Sequence, residues 1–134
     1  MSFEQQIIKE RFDVLITSAN QTFRAEFELD KNANYLLGIA ITSDRDDLVF
    51  YRGSQKILVN DKELFPEDFE SKLLLTGLNV NPNKRIVEVG EIETGNGRID
   101  LIYKDSNHTL APFTPYRFTL YTFSLIEKLE VSKI

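Results

Sequence analysis

The side chains that could do chemistry in this chain are few, and they are poorly grouped. One histidine, His108, stands beside Asp105, Ser106 and Thr109 in a single polar stretch, and there is no cysteine anywhere. A general base needs a nucleophile and an orienting group within hydrogen-bond reach. Here the neighbours are turn-forming residue types next to one another in sequence, so the stretch reads as a loop and not as a triad. Glu88, Glu91 and Glu93 could supply the paired carboxylates of a glycoside hydrolase. They fall on one expected strand, where a polar strand face accounts for them equally well.

Two acidic stretches have the composition of a cation loop. Asp30, Asn32 and Asn34 match the first three ligand positions of a helix–loop–helix calcium site, but its turn glycine is replaced by Tyr35 and its bidentate glutamate by Ile41. Asp44, Asp46 and Asp47 surround Arg45 and read as a solvated turn. No phosphate-binding loop, dinucleotide fingerprint, nucleophile elbow or zinc-protease motif occurs. The sequence therefore predicts a non-enzymatic protein with no catalytic residue, no bound metal and no cofactor.

The composition agrees with that reading. A chain of 134 residues with 42% hydrophobic and 28% charged side chains is sized and balanced as one globular domain, expected over 1–134. Net charge is −5, and the basic residues are scattered singly apart from Lys84-Arg85. That is the wrong footprint for tracking phosphates, so nucleic acid is not an expected partner. No apolar run reaches the ~18 residues that span a bilayer, so no membrane contact is expected. The start of the chain lacks the basic and apolar regions of a signal peptide, so synthesis without signal-directed export is expected.

The elements that must position these residues are mostly strands. Residues 22–29 place Phe23, Ala25, Phe27 and Leu29 on one face and Arg24, Glu26 and Glu28 on the other. Further strands are expected over 12–17, 34–42, 48–52, 55–59, 62–65, 86–93, 98–104 and 116–127. Residues 18–21 read as a hairpin turn, Asn60-Asp61 as a two-residue turn, and Thr94-Gly95-Asn96-Gly97 as the best hairpin signal in the chain. Residues 65–78 are ambiguous between helix and strand. Over 1–11, Ser2 could cap a short helix with Phe3, Ile7 and Ile8 on one face, giving an N-terminal helix or arm. The predicted fold is all-β: an antiparallel β-sandwich of jelly-roll or Greek-key type with that short N-terminal segment.

Two expected strands are apolar on both faces. Tyr116, Phe118 and Leu120 alternate with Tyr121, Phe123 and Leu125 beyond them, and Tyr35, Leu37, Ile39 and Ile41 back onto Leu36 and Ala40. A strand in a two-layer sandwich should show water a polar face. Either a β-bulge near Leu120 swaps the faces, or a further layer covers the surplus. The second alternative predicts burial in a homo-oligomer or larger complex, with Phe3, Ile7, Tyr35, Phe118, Tyr121 and Phe123 as the interface candidates.

The order of these features resembles the small β-sandwich structural proteins of bacteriophage virions, of the capsid-accessory or head-fibre-base type. The resemblance is carried by a short N-terminal arm, TFRAEFEL, YLLGIAIT, YRGSQKILVNDKELFP, GNGRIDLIYKD and the tail FTPYRFTLY. It implies a virion location, partners among homo-oligomer copies or other virion structural proteins, and no functional residue that can be transferred. The alternative expectation is a carbohydrate- or surface-binding module using exposed tyrosine rings.

Overall fold

The computed structural model describes residues 3–70 and 87–129, with side chains described over 6–64 and 87–126. Eight strands and one short helix run in the order β1 (Phe3–Ile16), β2 (Thr22–Glu28), β3 (Tyr35–Ser43), α1 (Asp46–Arg52), β4 (Gly53–Val59), β5 (Lys62–Glu70), β6 (Val87–Glu93), β7 (Arg98–Asp105) and β8 (Tyr116–Leu129). They form two four-stranded sheets, one ordered β1-β8-β3-β6 and the other β2-β7-β4-β5.

Every pairing is antiparallel, and the pairs nest: β1 with β8, β2 with β7, β3 with β6 and β4 with β5. The described strands thus nest as one long hairpin whose tip is Asn60-Asp61, folded over into two layers. That is the jelly-roll arrangement. The tip closes as expected from its residue types, since Asn60 and Asp61 both adopt positive φ (49° and 63°), the conformation a tight two-residue turn requires. Between the sheets lies one core that includes Ile16, Leu36, Ile39, Ile57, Leu101 and Phe118, each almost wholly shielded from water.

Several local expectations are corrected. Residues 3–16 form a strand, not a helix: β1 matches β8 residue for residue from Phe3↔Leu129 to Ile16↔Tyr116. The spacing of Ile8, Phe12, Val14 and Ile16 satisfies a period of two, and backbone pairing with a fourteen-residue neighbour overrides a weak helical preference. The opposite occurs at 46–52, where a strand was expected over 48–52. Asp46 and Asp47 occupy the first turn of a helix, favoured by its dipole, and Leu48, Val49 and Arg52 form its buried side. The β-rich residues Phe50 and Tyr51 are left outside.

Neither 18–21 nor 94–97 is a hairpin, because each carries the chain from one sheet to the other. The glycines at 95 and 97 do have positive φ (55° and 77°), but the sharp corner they make delivers β7 beside β2 and β4. Leu29 N–H donates to the Gly97 carbonyl (2.8 Å) and the Thr94 hydroxyl to the Ala33 carbonyl (2.6 Å), which locks this corner to the β2–β3 crossover. Of the ambiguous 65–78 segment, 65–70 continues β5, and 71–78 lies outside the described residues.

Gly53 starts β4 where no side chain fits. A Cβ there would stand 2.8 Å from the Val49 carbonyl oxygen and would run into the Tyr103 hydroxyl. Gly53→Ala should therefore destabilise the fold by about 2 kcal/mol, the scale of an overpacked core, read as a lower midpoint in urea unfolding.

Candidate functional site

The two sheets present very different faces to solvent. Outside β2-β7-β4, Arg98 pairs with Glu26 (2.7 Å) and with Asp100 (3.0 Å), and Arg24 and Lys56 flank Ile102 in one register row. This is an ordinary hydrated sheet face.

Outside β1-β8-β3-β6 the pattern reverses, and the reversal happens within β8. Up to Leu120 the strand is conventional, with Tyr116, Phe118 and Leu120 in the core and Arg117 facing out. Beyond it two inward positions turn polar before the apolar Ile126. Thr122 and Ser124 point inward, buried, and their hydroxyls have no hydrogen-bond partner among the described residues. Phe123 points outward into an open trough. A slipped register would explain this, but β8 pairs with β1 without a shift along its whole length. The irregularity lies elsewhere, at Leu37 of β3 against both neighbours.

That bulge shapes the trough. Three residues of β6 between Glu88 and Ile92 oppose the single Leu37 of β3, and Gly90 in their midst has φ of 82°. The extra backbone bends the sheet. The resulting hollow of about 460 Å³ is lined by Ile7, Leu37, Gly38, Gly90 and Phe123, with Lys9, Glu88 and Glu91 on its rim. Ile7 is 54% exposed. One register row runs Lys9, Phe123, Gly38, Glu88, so a cation and a carboxylate stand at opposite edges of one apolar strip. Neither Lys9 nor Glu88 or Glu91 is engaged in a salt bridge among the described residues. Beside them the Arg11 guanidinium lies 5.9 Å over the Tyr121 ring and 3.1 Å from Asp13.

Of the six residues singled out from sequence, Ile7 and Phe123 line this trough, Tyr35 shares the register row of Ile7, and Tyr121 lies in the next outward row, between Arg11 and Ala40. Phe118 is corrected: it is fully buried in the core against Tyr103, with ring centroids 4.5 Å apart. Phe3 begins β1, and its side chain lies outside the described residues. The bulge also places Glu88 and Glu91 on the same rim, where unbroken alternation pairs Glu91 with Glu93 instead. Asp30 closes a turn by accepting from Asn32 N–H (2.8 Å). Asp44 accepts from Arg117 N–H, and Asp47 pairs with Arg45, so the acidic stretch is dispersed. No group of carboxylates and histidines among the described residues is arranged to hold a metal. His108 Nδ1 accepts from Leu110 N–H (3.1 Å), and its ring lies against Tyr51.

Sequence reasoning missed a buried polar cluster at the other end of the sandwich. Asp105 ends β7 facing inward and receives both Nε and Nη2 of Arg52 (3.0 and 2.8 Å), the Tyr116 hydroxyl (2.6 Å) and the Asn20 amide (2.9 Å). Tyr103 and Tyr116 join hydroxyls at 2.9 Å, and Arg52 also donates to the Ala111 carbonyl (3.0 Å). Burial alone would raise the Asp105 pKa, but the hydrogen bonds from Arg52, Tyr116 and Asn20 outweigh it and hold the carboxyl below its usual range. Burial pushes both tyrosine hydroxyls upward, which keeps Tyr116 a proton donor. A signal was present in the sequence. Asp105 continues the inward alternation of Ile99, Leu101 and Tyr103, and a carboxylate at an inward position demands a buried cation.

Asp105→Asn should cost about 3–5 kcal/mol at neutral pH, because it leaves the Arg52 charge buried without its counter-ion. The acid dependence has a definite sign. With its folded pKa below the unfolded value of ~3.9, Asp105 contributes stability fully present above that value and lost as pH falls through the folded one. Thermal melts of the natural protein should therefore drop steeply below about pH 4, and Asp105→Asn should show a shallower drop.

Comparison of the chain with protein-family models, with curated proteins and with solved structures finds no match to any of them.

Proposed function

We propose that this protein is a non-enzymatic structural subunit of a virus particle, a capsid-associated or minor virion protein that acts through protein–protein contacts. The observation that carries the reading is the inversion within β8. Phe123 faces out while the hydroxyls of Thr122 and Ser124 face in, unpartnered among the described residues. Burying such hydroxyls costs about 1–3 kcal/mol each, and a ring left partly exposed forgoes part of its burial. A partner covering the outer face would offset the cost of the outward ring. An apolar trough with Ile7 exposed at its side is the kind of surface a partner can cover.

The setting rests on two supports: the resemblance of the strand layout to phage structural proteins, and the nested jelly-roll order, which recurs in viral capsid domains. Lectins and cupins share that order, so the face and not the fold chooses among functions. A second reading, a carbohydrate- or surface-binding module, is favoured by Phe50 and Tyr51. Both are more than 40% exposed on α1 and contact each other edge to face at 4.9 Å.

Mass spectrometry of density-purified particles from the genome that encodes this chain should find it in fixed ratio to the major capsid protein. Phe123→Asp should remove it from those particles while leaving its circular dichroism unchanged. Its absence from particles, together with glycan-array binding lost on Tyr51→Ala, would replace the first reading with the second.

A further inference from the structure

We propose that the outer face of β1-β8-β3-β6 docks a second copy of this chain, face to face, about a two-fold axis parallel to the strands. The proposal rests on the reading of that face as a contact surface and names its occupant. Charge complementarity selects that occupant. The face is apolar along its middle, with Lys9 at the β1 edge and Glu88 and Glu91 at the β6 edge. A two-fold axis along the strands leaves each register row in place and exchanges its ends. Because Lys9 and Glu88 belong to one row, each Lys9 then meets the partner's Glu88, twice per dimer. An axis across the strands would instead set β1 against β1 and like charges together, so the rim selects one of the two stackings.

Shape agrees with charge. Ile7 is 54% exposed at the β1 edge of the trough, and the opposite side is floored by Gly90, where space for a Cβ is empty. The same rotation sets each Ile7 in the row that ends at the partner's Glu93, one step beyond the glycine of the other's hollow, and the apolar rows between the two edges come together. Four strands about 4.8 Å apart and a nine-residue β3 at about 3.3 Å per residue give a footprint on the order of 600 Å² before side-chain relief, close to the ~800 Å² each partner contributes to a standard interface.

Charge reversal tests this directly. Sedimentation velocity over a concentration series should show the natural chain as a reversible dimer. Lys9→Glu and Glu88→Lys should each weaken self-association about tenfold, because two symmetry-related contacts turn repulsive together. The double variant Lys9→Glu/Glu88→Lys should regain most of the loss. Both substituted positions are exposed, and matching circular dichroism and melting curves will show that the three variants fold. A natural chain that stays monomeric at its highest soluble concentration overturns the proposal. So does a dimer indifferent to the single reversals, or a double variant no tighter than the singles. A monomer found in particles defeats the dimer and leaves the particle reading standing. A charge-swappable dimer missing from particles does the reverse.

Discussion

Among the described residues, Asp105 is the one carboxylate whose side chain is wholly shielded from water, and one end of the sandwich closes only because that charge is answered. An unpaired carboxylate in such a place would cost far more than a domain of this size can spare. Arg52 supplies the counter-charge from the last turn of α1, Tyr116 a hydroxyl from the start of β8, and Asn20 an amide from the β1–β2 crossover. Four segments distant in sequence are thereby tied to one group. The loop 106–115 is drawn in as well, since Arg52 reaches the Ala111 carbonyl and lies 5.3 Å from the Phe113 ring. An apolar substitute for the whole cluster could match its stability, but would not fix those segments by direction.

The opposite end is held differently. There the two crossovers at 29–34 and 94–97 exchange backbone and hydroxyl hydrogen bonds, and the hairpin tip joins them through Asn60 N–H to the Arg98 carbonyl. With both ends fixed, the middle of the sheets is free to be specialised. One outer face carries paired charges and is finished against water. The other has a trough with apolar side chains outward, unpartnered hydroxyls on its inner side among the described residues, and Lys9 at one edge facing Glu88 and Glu91 at the other. The reading of one face as a contact surface rests on that difference, because a jelly roll as such supports many activities.

Much of the architecture was legible in the residues. The alternation over 22–29, 55–59 and 98–104 marks β2, β4 and β7 because each has one face on the core and one in water, so period two is written directly into polarity. Asn60-Asp61 was legible because a tight turn needs positive φ at both positions, which is a local property. The double apolar character of β8 was visible too.

What the sequence determined by itself is therefore the local conformational periodicity and the surplus of apolar strand faces. Tertiary structure alone decided where these went. It made 3–16 a strand, because β8 offers fourteen residues of backbone to pair with, and 46–52 a helix, because the chain must cross from one sheet to the other there. It made 94–97 a corner, since the same positive-φ glycines serve a hairpin or a crossover and only the partners of β6 and β7 distinguish them. It put Phe118 in the core and Phe123 outside, five residues apart, with the bulge at Leu37 instead of at Leu120. Hydrophobicity specifies that a side chain must be covered and carries no direction. Which layer covers it is settled by hydrogen-bonded pairing between strands far apart in the chain.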